Sequence, residues 1–222
     1  MTDYQYDGVV FDLDGTLVDT APDLLASTNY VMDLYSRPAV TMDIIKDGIS
    51  FGAKRMMRDA FLSNGGITGI NLDSALPDFL NYYHEHICIH SKLFEGGYKF
   101  LIAAKEAGIP VAVCTNKSVE LATHLLNELD IMSLLTALTG GNSFTFKKPD
   151  ARHLTETRNL MKLDKSHTIL MVGDSSNDIN AAKNAGWDSA VVTFGYLDVS
   201  LESLQATYEI NSLADLIPIV GL

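Results

Sequence analysis

Cysteine is scarce in this chain. Two residues, Cys88 and Cys114, among 222 exclude a disulfide framework. They read as reduced thiols of a cytoplasmic protein. Long apolar runs are missing as well. No stretch reaches the roughly 18 residues that a membrane span requires, and the C-terminal Leu216–Val220 segment is short and broken by Pro218. Met1-Thr2-Asp3-Tyr4 carries no basic segment leading into an apolar one, so no secretory leader is expected. Positive charge is in deficit: 16 Lys and Arg face 28 Asp and Glu, giving a formal charge of -12. A field of that sign repels nucleic acid and anionic membrane, so neither is an expected partner. Any anionic substrate would need local cations to overcome it. Repeats and low-complexity tracts are also absent. What remains is 47% hydrophobic and 20% charged, the balance of an ordinary folded chain with one sizeable core, or a core and a small second domain.

Short β-rich runs alternate with longer helical patterns. Val9-Val10-Phe11, Val111-Ala112-Val113-Cys114, Thr136-Ala137-Leu138, Thr168-Ile169-Leu170-Met171-Val172 and Ala190-Val191-Val192-Thr193 read as strands. Helical spacing fills about 97–107, 118–128, 151–162 and 178–185. Continuous apolar runs fit strands covered on both faces, and this alternation predicts a parallel sheet. The expected class is α/β with a Rossmann-like core. The interval 18–91 departs from the pattern and shows only helical signals. Thr20-Ala21-Pro22-Asp23 has the form of a capping box with proline just inside the helix. Leu24, Leu25, Thr28, Val31, Met32 and Tyr35 follow at helical spacing, and 51–62 and 76–89 read as further helices. The expected organisation is a core of 1–17 and 92–222 with an inserted helical cap at 18–91.

Four polar clusters follow predicted strands or lie on loops, where ligands of open α/β sheets bind. Asp12 and Asp14 are spaced by two at the end of the first strand, which in extended backbone aims both carboxylates to one side. A divalent cation between them would remove their repulsion, and oxygen ligands favour Mg²⁺. One of the two could attack phosphorus and the other carry a proton; the plain alternative is a turn with exposed acids. Thr115-Asn116, before a helix opening near Ser118, offers hydroxyl, amide and N–H groups to an anion, or merely caps the helix. Lys147-Lys148-Pro149 offers an ammonium against developing phosphate charge, or a solvated surface pair. Asp174 and Asp178, in Gly173-Asp174-Ser175-Ser176-Asn177-Asp178, could complete a metal shell and orient the lysine, or cap the helix that follows.

In this order the four clusters resemble the haloacid dehalogenase superfamily over essentially the whole chain. The wording of Val9 to Asp19, of Cys114-Thr115-Asn116-Lys117, of Val172 to Asp178 and of Phe194-Gly195-Tyr196 is close to the phosphoglycolate phosphatase-like branch. The resemblance implies that Asp12 is the nucleophile and Asp14 the acid and base. It implies that Asp12, the carbonyl of Asp14, and Asp174 hold Mg²⁺, and that Thr115 and the Asn116 N–H bind phosphoryl oxygens. Lys148, the lysine next to the proline, would neutralise phosphate, steadied by Asp178. The implied activity is hydrolysis of a small cytoplasmic phosphate ester through an aspartyl-phosphate, with phosphoglycolate the first candidate. Whether the enzyme is a monomer or a homodimer is left open.

Relatives that attack carbon lack an acid at position 14, as do phosphonatases. Sugar phosphomutases keep both acids but usually carry Glu-Asp where this chain has Gly173-Asp174, so hydrolysis is expected over mutase transfer. Pyrophosphatase and nucleotide phosphatase activities stay as alternatives. A non-catalytic phosphate-sensing module would normally have lost Asp12, Asp14 or Lys148. Gly48 to Arg55 occupies the place of a cap loop in this branch, with Ser50 and Phe51 departing from its pattern; separately, Ala151, just after Lys148-Pro149-Asp150, stands where a second proline is usual. Phe51, Lys54 and Arg55 are the candidate substrate selectors, against a solvated basic helix start. His84, His86 and His90 fall in the third expected cap helix. The spacing of His86 and His90 can bind zinc, although an exposed helix face is the simpler reading. Cys114, Trp187 and the Met56-Met57 pair are expected to pack rather than react.

Overall fold

Apolar strands need neighbours on both edges and cover on both faces, and the core supplies them. The protein, described here from a computed structural model, is defined over residues 5–222. The Met1 to Tyr4 stretch read above for a leader lies outside the described residues. The strands β1 (Gly8–Phe11), β2 (Val111–Cys114), β3 (Ala137–Thr139), β4 (Ile169–Gly173), β5 (Asp188–Val192) and β6 (Tyr208–Ile210) form one sheet. Their order is β3-β2-β1-β4-β5-β6. Every pairing is parallel, with Val10 of β1 opposite both Ala112 and Met171. The order reverses at β1, so the crevice beyond the carboxyl ends of β1 and its neighbours is the natural ligand site.

Continuous apolar runs follow from this placement. Val10, Ala112, Cys114 and Met171 are buried together with Leu154 of helix Ala151–Leu160 and with Ala181 and Ala182 of helix Ser176–Ala185. Phe11 turns the other way and meets Phe100 of helix Gly97–Ala107 edge-on, with centroids 5.6 Å apart. Each fully buried Val or Phe contributes about 1.5–3 kcal/mol, enough to fix β1 as the centre of the sheet.

By its contacts the chain divides into two compact units, Met1–Asp19 with Leu93–Leu222, and Thr20–Lys92. The second unit is helical: Ala21–Leu34, Met42–Ile45, a 3₁₀ turn Lys46–Phe51, Ala53–Ser63 and Leu72–Glu85. Val31, Met32, Met56, Met57, Phe61, Phe79 and Tyr83 form its interior. The last helix begins four residues before the expected start because Asn71 caps it through Asp73 N–H, while Pro77 is accommodated inside. It also ends sooner, so His86 is its C-cap and His90 lies beyond it. The two histidines therefore share no helical face: His86 stacks on Tyr82 at 4.1 Å, and the His90 N–H donates to Asp23.

The expected capping box at Thr20 and Asp23 does not form. Thr20 makes no side-chain cap bond. Asp23 instead accepts from His90 N–H, from Ser91 N–H at 2.8 Å and from Ser91 Oγ at 2.7 Å. A buried carboxylate with three donors from a turn outcompetes a local cap worth about 1 kcal/mol. Replacing Asp23 with alanine strands those donors and is expected to lower stability by about 2–3 kcal/mol, read as a shift of the urea midpoint. A loss below about 0.5 kcal/mol would show the turn is satisfied otherwise.

Candidate active site

Asp12 follows β1 directly, and its N–H donates to Val172 O at 2.9 Å, pinning it at the sheet edge. The strand stops there. A turn closed by Gly15 N–H to Val18 O and Leu17 N–H to Leu13 O carries Asp14 away. The rule that side chains two apart share a side ends with the strand, so the two carboxylates separate. Asp12 accepts from Lys148 Nζ at 2.7 Å, whereas Asp14 accepts from Lys117 Nζ at 2.6 Å.

Lys148 is the buried member of the lysine pair and Lys147 the exposed one. The Lys148 side chain is 1% exposed and its ammonium also donates to Asp178 Oδ1 at 2.7 Å. Its backbone is held from two directions. Asn116 Nδ2 donates to the Lys148 carbonyl at 3.1 Å, and the Lys148 N–H donates to His153 Nδ1 at 3.3 Å. Asp178 divides its oxygens between two tasks. One takes the lysine, and the other accepts from Ser175 N–H and Ser175 Oγ in a capping box that starts helix Ser176–Ala185. The cap reading and the lysine-orienting reading of Asp178 thus describe one side chain.

Asp174 is fully buried. Thr16 Oγ1 donates to one of its oxygens at 3.0 Å and the Tyr196 N–H to the other at 2.7 Å. Gly15, at φ +84°, and Gly195 pack against it so closely that a Cβ on either would overlap its side chain. Thr115 is buried at the end of β2, and its Oγ1 accepts from the Lys117 N–H at 3.2 Å, which leaves its own hydroxyl proton to donate elsewhere.

Burial pushes the Asp12 carboxyl up to about 7; Lys148 opposes this, while Asp178 and Asp14 add to it. Burial, with Asp178 and Asp12 nearby, raises Asp174 well above the usual carboxylate range. Burial disfavours the Lys148 ammonium, but Asp12 and Asp178 outweigh it and hold the group above its ordinary value. Burial and then Lys148 drive His153 down to about 4, so it is a neutral acceptor for the Lys148 N–H. Burial also raises the Cys114 thiol, which packs in the core beside Val10 and Met171.

Among the described residues, carboxylate oxygens of Asp12, Asp174 and Asp178 lie within 4.8 Å of one another. This is an all-oxygen donor set suited to a hard divalent cation. Four carboxylates face two ammoniums here, a deficit of positive charge that such an ion fits. The Asp14 side chain is not in the group and pairs with Lys117 instead. Sequence reasoning gave no role to Lys117, Thr16, Ser175 or the Tyr196 N–H. Lys117, Thr16 and the Tyr196 N–H act on partners far along the chain, where no local pattern announces them; Ser175 acts on Asp178 three residues on, and the Ser-x-x-Asp capping pattern is the signal that could have found it.

In the helical unit, Phe51 ends the 3₁₀ turn half exposed and lies 5.8 Å from the Arg55 guanidinium. Lys54 pairs with Asp73, and Arg55 with Asp59 at 2.6 Å. Both cations are therefore engaged by carboxylates of their own unit, Asp73 exposed and Asp59 partly buried, and the cations themselves are solvated, so the contacts are worth under about 1 kcal/mol.

No helix among the described residues is long and apolar enough to cross a membrane. Residues 9–192 match the family model of the haloacid dehalogenase-like hydrolases. The chain is 40% identical over 210 residues to a phosphoglycolate phosphatase of Agrobacterium fabrum, covering 94% of this chain and 90% of that one. It is 33% identical to an N-acetylmuramic acid 6-phosphate phosphatase of Pseudomonas aeruginosa, covering 85% and 82%. The crystal structure of a predicted phosphoglycolate phosphatase from Haemophilus somnus superposes with a TM-score of 0.89 at 29% identity, covering 97% and 98%. The chain therefore belongs to the haloacid dehalogenase-like hydrolases, and its place among them is with the phosphatases.

Proposed function

We propose that this protein is a cytoplasmic, Mg²⁺-dependent phosphomonoesterase that works through a phosphorylated Asp12. The observation that carries the reading is the buried Lys148 ammonium gripping Asp12 and Asp178 beside Asp174. Asp12 attacks phosphorus, the ester P–O bond breaks, and Asp14 delivers a proton to the departing oxygen. Asp14 then takes a proton from water, which attacks the same phosphorus and returns Asp12 with release of inorganic phosphate. Thr115 Oγ and the Asn116 N–H bind phosphoryl oxygens, and Lys148 offsets their charge. Asp12, Asp174 and the Asp14 carbonyl would hold Mg²⁺, which when bound supplies electrostatic stabilisation of the phosphoryl group.

Hydrolysis is favoured over mutase transfer by Gly173. A Cβ there would overlap the Asp178 side chain, so the Glu-Asp pair of the mutases has no room. The names of the relatives point to phosphate esters that also carry a carboxylic acid, and phosphoglycolate is the first substrate to try. The helical unit would act as the cap, with Phe51, Lys54 and Arg55 reading the leaving group. Phosphate release across a panel of small esters tests this. One acid-bearing ester standing far above the rest is expected, and a preference unmoved by Lys54→Ala and Arg55→Ala would remove those residues from the selector. Isomerised sugar phosphate without phosphate release would overturn the hydrolase reading.

The Asp12 pKa sits above its unfolded value, so the group's contribution to metal-free stability is complete below about pH 4 and is lost as pH rises through about 7. His153, depressed, opposes this only below about 6.5. Asp150 and Asp164, lowered to about 2 by exposed hydrogen bonds, act only in acid. Between pH 6.5 and 8 the metal-free protein should therefore lose about 1 kcal/mol of unfolding free energy, and saturating Mg²⁺ should abolish that loss. A flat metal-free profile would contradict the assignment.

A further inference from the structure

Asp14 and Lys117 are 103 positions apart in the chain, yet Asp14 Oδ1 and Lys117 Nζ meet at 2.6 Å. This is not a surface pair: the side chains are 14% and 7% exposed. The position of Lys117 is built into the fold. Its N–H donates to Thr115 Oγ1, and its carbonyl accepts from the Gly141 N–H at 2.7 Å. Gly140 and Gly141 press against this loop so closely that a Cβ on Gly140 would meet the Lys117 carbonyl at 2.8 Å, and one on Gly141 would overlap the carbonyl of Asn116. The Val119 N–H is tied to Asn142 Oδ1 at 2.9 Å, closing the same clamp. Asp14, for its part, sits in the turn that Gly15 and Val18 close.

A divalent cation in a cluster of carboxylates captures whatever free carboxylate lies nearest. Asp14 is two residues from Asp12, yet its carboxyl is absent from the Asp12, Asp174 and Asp178 group. Lys117 provides the competing partner. We propose that Lys117 is a positioning residue that holds the Asp14 carboxyl apart from the cation and nucleophile, aimed for proton transfer with the ester oxygen. The inference rests on the proton-transfer role given to Asp14 above. A carboxyl displaced by about 1 Å can cost on the order of a hundredfold in rate.

The test uses two esters that differ in their need for a proton. An alkyl phosphate must have its departing oxygen protonated; 2,4-dinitrophenyl phosphate need not. The readout is kcat/KM, which reports only steps through phosphorylation of Asp12. In Lys117→Met, kcat/KM for the alkyl ester should fall at least about thirtyfold, mainly in kcat, and that for the dinitrophenyl ester less than about threefold. Lys117→Arg should recover most of the loss. Mg²⁺ binding measured by calorimetry should be no weaker than in the parent, showing an intact cluster. Asp14→Ala should show the same dependence on the leaving group, and adding Lys117→Met to it should cost nothing more. Equal losses on both esters, or additive losses in the double variant, would make Lys117 an independent phosphate-binding charge and overturn the proposal. An Asp14→Ala loss that is equal for both esters would instead sink the proton-transfer reading, and the inference with it.

Discussion

Replacing Lys148 with methionine is expected to lower kcat/KM by about a thousandfold or more and to destabilise the fold at once. One buried ammonium serves both ends. In the proposed mechanism it neutralises the nucleophile and the phosphoryl group, a type of interaction whose loss costs about 10²–10³ in rate. It is also the shared partner of Asp12 and Asp178. Breaking a buried pair by deleting one member costs about 3–5 kcal/mol, because a charge is left without a counter-ion. Protonation of Asp12, already pushed up to about 7, should limit that cost and make it smaller in acid. Arginine should not rescue activity, since a planar fork does not replace a point charge between two carboxylates in a closed pocket. Lys147→Met is the control. That side chain is exposed, and activity should stay within about twofold. Equal losses in the two lysine variants would remove Lys148 from the site.

The second large effect is expected at Asp12. Asparagine keeps the shape and an oxygen to accept from Lys148, so the folded state should survive. Without a nucleophilic carboxylate, kcat should fall by about 10³-fold or more. The same variant should also erase the Asp12 share of the decline in metal-free stability between pH 6.5 and 8. Activity above about a tenth of the parent would place the nucleophile elsewhere.

Most of the core was legible because burial writes itself into composition. Val111 to Cys114 is buried at every position, and such a run reads as a strand covered on both faces. The edge strand Tyr208–Ile210 was not legible. It is three residues long, with Glu209 exposed and Tyr208 only half buried, and shows neither an apolar run nor a useful alternation. Pro77 hid the start of the helix that Asn71 caps. Asp23 looked like a local cap because sequence distance says nothing of Ser91, 68 positions on.

The site divides in the same way. Asp12, Asp174 and Asp178 were visible because each follows a strand or opens a helix at the edge where the sheet order reverses. The choice of Lys148 over Lys147 came from resemblance, as no local physics separates two adjacent lysines; burial of one and exposure of the other does so in the fold. The pairing of Asp14 with Lys117 could not be read at all. The spacing of Asp12 and Asp14 suggested a shared cation, but the turn at Gly15 sends the two carboxylates to different lysines.

A covalent phosphate on Asp12 is the intermediate on which the proposed mechanism turns, and it can be trapped. The Asp14→Asn variant, loaded with Mg²⁺ and 2,4-dinitrophenyl phosphate, should form the acyl phosphate without needing an acid but lack the base to hydrolyse it. Acid quenching, borohydride reduction and peptide mass spectrometry should then find homoserine at position 12. Homoserine at another aspartate, or an unmodified Asp12 after a stoichiometric burst of dinitrophenol, would show that Asp12 is not the nucleophile.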